Sequence, residues 1–172
     1  MHMKAEQFVK NVLVLDPDIR FAGVMEKSGH LHASVRKNDA EEYLKGRNPE
    51  ISLAQSAYIV DLRKMFTQEL GNLRSVAYGY DKVKLISMPV KDHVLVISTE
   101  PKVETDQLVE KISKYVKSVE GELSLYPPNN IVNEEKKEAL RNLHNSGISE
   151  ELIAEQLDLD FNTVKMLIAE IK

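Results

Sequence analysis

The sequence predicts an α+β domain followed by a small all-α domain. Three observations carry this. Along residues 3–120 the apolar positions switch from helical three-to-four spacing to two-residue alternation and back. The breaks between these stretches fall at Pro and Gly. Residues 133–172 hold helical spacing only. The predicted order is α-β-β-α-β-β-β-α, with the strands in one five-stranded antiparallel sheet with flanking helices.

The first helix is read over 3–15, where Phe8, Val9, Val12 and Leu13 recur on one side. Asp16-Pro17-Asp18 ends it, because a proline disfavours helix in the residue before it. Ile19–Glu26 and His30–Arg36 are strands joined at Lys27-Ser28-Gly29, a hairpin. Strict alternation puts Leu31, Ala33 and Val35 on one face and His30, His32 and Ser34 on the other. Asp39–Lys45 has the composition of a short helix. Asn48-Pro49-Glu50 signals the next helix start: Asn as cap, Pro in the first turn, then an acid suited to the helix dipole. That helix is expected to run to Leu70 and stop at Gly71. Its stripe is Ile51, Ala54, Tyr58, Leu62, Met65 and Phe66, with Ala57 and Val60 widening the apolar surface. Strands follow at 74–80, 83–88 and 93–98, with turns at Tyr80-Asp81-Lys82 and Pro89–Asp92. Glu104–Val119 closes the domain as a helix ending at Gly121.

At 172 residues, 42% hydrophobic and 29% charged, the composition is that of an ordinary folded chain. It has no Cys, which excludes disulfides, thiolate nucleophiles and Cys-based zinc sites. No apolar run is long enough to span a bilayer. The start, MHMKAEQFVKN, lacks the apolar core of a secretory signal, so a cytoplasmic location and no membrane partner are expected. With no Trp and 6% aromatics, stacking platforms for single strands are not expected. The charge is unevenly placed. Residues 129–172 carry five basic and nine acidic groups, the whole of the chain's net −4, while residues 1–128 are balanced.

The element order, together with DPDIRFAGVMEKSGHLHAS, resembles the roadblock / dynein-light-chain domain, a relative of the longin and profilin-like folds. The resemblance covers roughly residues 3–120, and a PAS-type or profilin-type sheet is the near alternative. The chain is also similar to short proteins of ammonia-oxidising archaea. The resemblance implies a binding and dimerisation module without an active site. Such domains pair through the middle helix and a sheet edge, then serve as platforms for small GTPases or other protein partners. Tyr58, Arg63, Lys64 and Gln68 are on that account the candidate homodimer surface. The alternative is a monomer whose middle helix faces its own core.

The domain division expected is 1–121, a linker over 122–132 that includes Tyr126-Pro127-Pro128-Asn129-Asn130, and a three-helix domain over 133–172. In the last of these, Asn133, Ser149 and Asp160 are read as helix caps. GISEELIAEQLDLDFNTVKMLIAEI resembles a helix-turn-helix. Ala154 supplies the small residue where the helices cross, and Ile153, Leu157, Leu159, Val164 and Leu167 fill the angle between them. Asp158 stands at the turn, where its side chain tolerates a left-handed backbone. In a DNA complex the last helix would enter the major groove. Asn162, Lys165 and Met166 would then face bases and Thr163 a phosphate. Against this stand Asp160, Glu170 and the acidic balance of the tail, since neutralising phosphates drives duplex affinity. A small bundle for protein contact is the other reading.

Chemistry is sparse. His30 and His32 share a face of a strand, and His93 lies on another, but no acidic fourth ligand is evident; a solvated polar face, not a metal site, is expected. His144 suits a helix end, where a cation meets the dipole. There is no GxSxG elbow, no HExxH and no GxxxxGK[ST] loop, so neither an enzyme nor a cofactor is expected. Lys82, Lys84 and Lys91 with Arg63, Lys64 and Arg74 are the most basic region, either a surface for acidic partners or protection of a sheet edge. The sequence alone favours a DNA-binding transcriptional regulator with an N-terminal dimerisation or sensor domain. Its alternative is a non-catalytic scaffold associated with a small GTPase or another protein.

Overall fold

In the computed structural model, which describes residues 3–125, 132–157 and 159–171, the chain forms two compact units, Met1–Tyr126 and Pro127–Lys172. The expectations on the Tyr126–Asn130 stretch and on Asp158 lie outside the described residues.

The first unit begins with a two-residue strand β1 (Met3–Lys4) and helix α1 (Ala5–Leu13). A hairpin follows, β2 (Ile19–Glu26) and β3 (Leu31–Arg36). Next come α2 (Asn48–Arg63), a 3-10 turn (Lys64–Phe66) and the single turn α3 (Thr67–Leu70). The remaining elements are β4 (Val76–Gly79), β5 (Lys84–Val90), β6 (His93–Thr99), α4 (Thr105–Val119) and β7 (Leu123–Ser124). The main sheet has five strands in the order β3-β2-β6-β5-β4, every neighbouring pair antiparallel.

The sheet is covered on both faces. Leu95 and Ile97 of β6 point to a core with Phe8, Val9 and Val12 of α1 and Leu108, Val109 and Ile112 of α4. Val94 and Val96 point the other way, to Ala57 and Val60 of α2. A central strand with two covered faces has no polar side, which is why VLVI reads as an unbroken apolar run.

Several expectations are corrected. Residues 39–45 leave a turn and run on as an irregular loop, not a helix. Arg20, itself buried, donates to the Glu41 carbonyl at 2.8 Å and lies 4.8 Å from the centre of the Tyr43 ring, so tertiary contacts override local helix preference. The turn between β5 and β6 is only Lys91-Asp92, and Pro89 lies inside β5 opposite Val94. Asn48 is inside α2 rather than capping it. Residues 123–125, assigned to a linker by the sequence, belong to the first unit. There β7 pairs in parallel with β1, and Leu123 and Leu125 are buried in the α1–α4 core.

The β2–β3 hairpin holds a further correction. Val24 pairs with Ala33 but Met25 pairs with Leu31, so His32 is an extra residue in β3. This bulge breaks the alternation: Leu31 packs on the α2 side with Met25, while Ala33 and Val35 pack on the α1–α4 side. Gly29 at the hairpin tip has φ of 91°, and a Cβ placed there would lie 3.2 Å from Ala54 of α2. Gly29→Ala combines left-handed strain with that close approach. The expected loss is about 1–3 kcal/mol in urea unfolding; an unchanged midpoint would show that the hairpin tip does not rest on α2.

The second unit is a bundle of α5 (Glu134–Asn145), α6 (Glu150–Leu157) and α7 (Phe161–Ile171). Asn133 Oδ1 accepts from the Lys136 amide at 2.8 Å, and Asp160 Oδ1 accepts from the Thr163 amide at 2.9 Å, each satisfying a first-turn donor. Its core is Leu140, Ile153, Leu159, Val164, Leu167 and Ile168, with Ala154 and Leu157 packed against it.

Candidate interaction surfaces

α2 is apolar on two sides. The side with Leu53, Ser56, Ala57 and Val60 meets the sheet; Ser56 and Ala57 are small, which lets the helix lie close. The stripe picked out in the sequence faces outward. Ile51, Tyr58, Leu62, Met65 and Phe66 of that stripe are exposed, as is Leu70 beyond it, Met65 at 71% and Leu70 at 75%. Exposed large apolar residues gathered on one face mark a contact surface, where scattered ones do not. Of the residues expected at a dimer surface, Tyr58, Arg63 and Gln68 are exposed and Lys64 is half-buried. Arg63 lies 5.1 Å from the Phe66 ring centre, so its charge sits over an aromatic face. The Lys64 ammonium is held below its ordinary pKa by burial first and by neighbouring Lys27 second.

Beside α2 the sheet ends at β4, which pairs with β5 alone among the described residues. A cleft of about 430 Å³ runs between them, lined by Gln55 and Tyr58 of α2 and by Tyr78 of β4 and Tyr80 just beyond it. The apolar helix face, the tyrosine cleft and the free strand edge thus adjoin.

The basic residues do not form one patch. Lys84 and Lys91 lie at opposite ends of β5, and each is turned onto a main-chain carbonyl, Val103 at 2.5 Å and Leu123 at 2.9 Å. Lys82 lies 5.4 Å from the Tyr43 ring centre.

His32 and His93 are not on a solvated face. His30 is exposed, but the His32 side chain is fully buried, with Nδ1 2.8 Å from the Leu125 carbonyl and Nε2 2.8 Å from Glu26 Oε1. The bulge turns this ring inward, edge-on to His93 at 4.9 Å between centres. Among the described residues, no group of three or more His, Asp or Glu is placed to hold a metal ion.

Burial pushes the His93 imidazole below the ordinary histidine value, and nearby His32 adds to this, while the bond to Asp92 opposes it. The unfolded chain therefore takes up this proton at higher pH than the folded one. The contribution of His93 is complete above about pH 6.5 and is lost as pH falls through the depressed folded value. The urea midpoint is expected to drop between about pH 7.5 and about pH 5.5, and to drop less in His93→Gln. Equal slopes in both proteins would take His93 out of the acid response.

In the second unit Asn162, Lys165 and Met166 are exposed on α7. Thr163 is half-buried and gives its hydroxyl to Asp160 Oδ2. The Lys165 ammonium lies 5.0 Å from the Phe161 ring centre.

Among the described residues, no helix is long and apolar enough to cross a membrane. A family described as of unknown function (DUF6659) matches residues 2–123. No curated protein matches the sequence. Among solved structures, a roadblock/LC7 domain from Streptomyces avermitilis superposes with a TM-score of 0.54 at 14% identity, covering 69% of this chain and 97% of that one. An MglB described in a tetrameric arrangement superposes at 0.53 with 11% identity, covering 66% of this chain and 82% of that one. At these identities the likeness is one of fold: the first unit has the roadblock architecture.

Proposed function

The chain belongs to the DUF6659 family, whose function is unknown, and on that footing we propose that it is a non-catalytic protein-interaction scaffold whose first unit pairs with a second copy of itself. The observation that carries this is the outward apolar stripe of α2 and of the two short turns that follow it, Lys64–Phe66 and Thr67–Leu70. A chain that covers both faces of its sheet, yet leaves Tyr58, Leu62, Met65 and Leu70 in water, has built a surface for something else to cover. The free edge of β4 beside it supplies unpaired backbone groups suited to strand addition. A second copy fits because both features recur on it, and a two-fold axis brings like to like. The tetrameric MglB supports assembly on this fold. The roadblock resemblance points to a small GTPase as the first partner to test on the resulting platform.

Duplex DNA fits the second unit less well than protein does. Thr163 is committed to Asp160, Lys165 leans on Phe161, and the surrounding charge is acidic.

The test is sedimentation velocity of the full chain across a concentration series. Twice the chain mass at micromolar concentration is expected. The mass of a single chain throughout would remove the reading.

A further inference from the structure

We propose that the outer surface of α6 and α7 docks a basic, amphipathic helical segment of a partner protein. This rests on the scaffold reading above but concerns a different unit and a different occupant.

Charge on the second unit is sorted by element. α5 balances Glu134, Glu135 and Glu138 against Lys136, Lys137 and Arg141. Residues 150–171 carry six acidic groups and one basic group, Lys165. That single cation is directed over the ring of Phe161, so its charge is already engaged within the helix. The helix pair that would meet phosphates in a DNA complex therefore presents negative charge, and it would repel a polyanion.

The same pair leaves apolar side chains in water. Leu152 of α6 is 50% exposed, and Phe161 and Met166 of α7 are 38% and 59% exposed. Ile153 of α6 and Val164, Leu167 and Ile168 of α7 are the residues these helices give to the core, so none of the three exposed ones is needed for it. On α7, at about 100° per residue, Phe161, Lys165 and Met166 fall on one outward arc. Glu151 and Glu155 are exposed on the same arc of α6 as Leu152.

Exposed apolar groups with acids around them select their complement. A neutral apolar segment would leave the glutamates facing low-polarity surface without partners, which is costly. A helix with one apolar stripe and flanking Lys or Arg gives Leu152 and Met166 burial and each glutamate a cation. Met166 adapts its shape to such a stripe better than a branched side chain would.

The experiment is fluorescence anisotropy on the full chain at physiological salt. The probe is a synthetic amphipathic helix of about 18 residues built from Leu and Lys. A Leu/Glu helix of the same pattern and a duplex of about 20 base pairs serve as comparisons. Two paired variants are used, Glu151→Lys with Glu155→Lys, and Leu152→Ser with Met166→Ser. All four residues are exposed, so circular dichroism is expected to be unchanged. The Leu/Lys helix is expected to bind, and each paired variant to weaken it by about tenfold or more. No binding, equal binding by both variants, or equal binding of the Leu/Glu helix overturns the proposal. So does tighter binding of the duplex that is lost in Asn162→Ala. A chain that sediments as a monomer but binds through these residues keeps this surface and loses the pairing; a paired chain that ignores the probe does the reverse.

Discussion

Tyr58→Asp combined with Leu62→Asp is expected to convert the proposed pair to monomers, with the pairing constant weakened by at least about a thousandfold. In a single chain the two side chains are 62% and 42% exposed, so a carboxylate there stays in water and costs the fold little. In the pair, two-fold symmetry brings each substitution into the contact twice. An uncompensated charge buried against an apolar partner costs about 3–5 kcal/mol, and about 1.4 kcal/mol is already tenfold. Sedimentation across a concentration series reads the mass, and urea unfolding of the monomer checks that the fold survives. A double variant that still sediments as a dimer would move the pairing surface off α2.

Leu140→Ala is expected to melt the second unit and leave the first folded. Leu140 is fully buried at the centre of a core of six buried residues. Truncating a buried leucine costs about 2–5 kcal/mol, because the neighbours close only part of the cavity. A unit of this size has a total stability of only a few kcal/mol, so the loss is of the same order as the whole. The core of the first unit shares none of these residues. Hydrogen exchange is the measurement. Protection should vanish over 134–171 and persist over α1, the sheet and α4. Loss of protection in both units together would contradict two separate cores.

Much of this architecture is readable from the chain alone, because its strands and helices obey their own periods. The β2–β3 hairpin shows as alternation on either side of a glycine turn, and α4 shows as Leu108, Ile112, Tyr115 and Val119 on one face. What resists reading has identifiable physical causes. A two-residue strand such as Leu123–Ser124 has no period to detect, so the end of the first unit is invisible to pattern. Asp39–Lys45 is locally helical in composition, and its contact with the distant Arg20, which holds it as an irregular loop, is not visible in local pattern. On α2 both sides are apolar, and periodicity does not say which one meets the sheet. The small side chains Ser56 and Ala57 went inside with Val60, Leu53 packs beside them, and the other large ones stayed out. Tyr58, Arg63, Lys64 and Gln68 were legible as surface positions on the strength of the roadblock resemblance. Met65 is legible in the apolar stripe but not among the candidate surface residues, and Leu70, the most exposed apolar residue of this region, is legible only as the helix end. A helix carrying more apolar surface than one sheet face can cover was the available signal.

The extra residue in β3 sets the phase of the whole hairpin. Because His32 has no partner on β2, Leu31 and Ala33 face opposite ways although they are two positions apart. Removing one residue here would bring the ladder into step and swing everything from Leu31 back to the tip through half a turn, taking Leu31 away from Met25 and Gly29 away from its seat. Length changes in this loop are therefore expected to survive in even steps and to fail in odd ones, a parity rule written by a single unpaired imidazole-bearing residue.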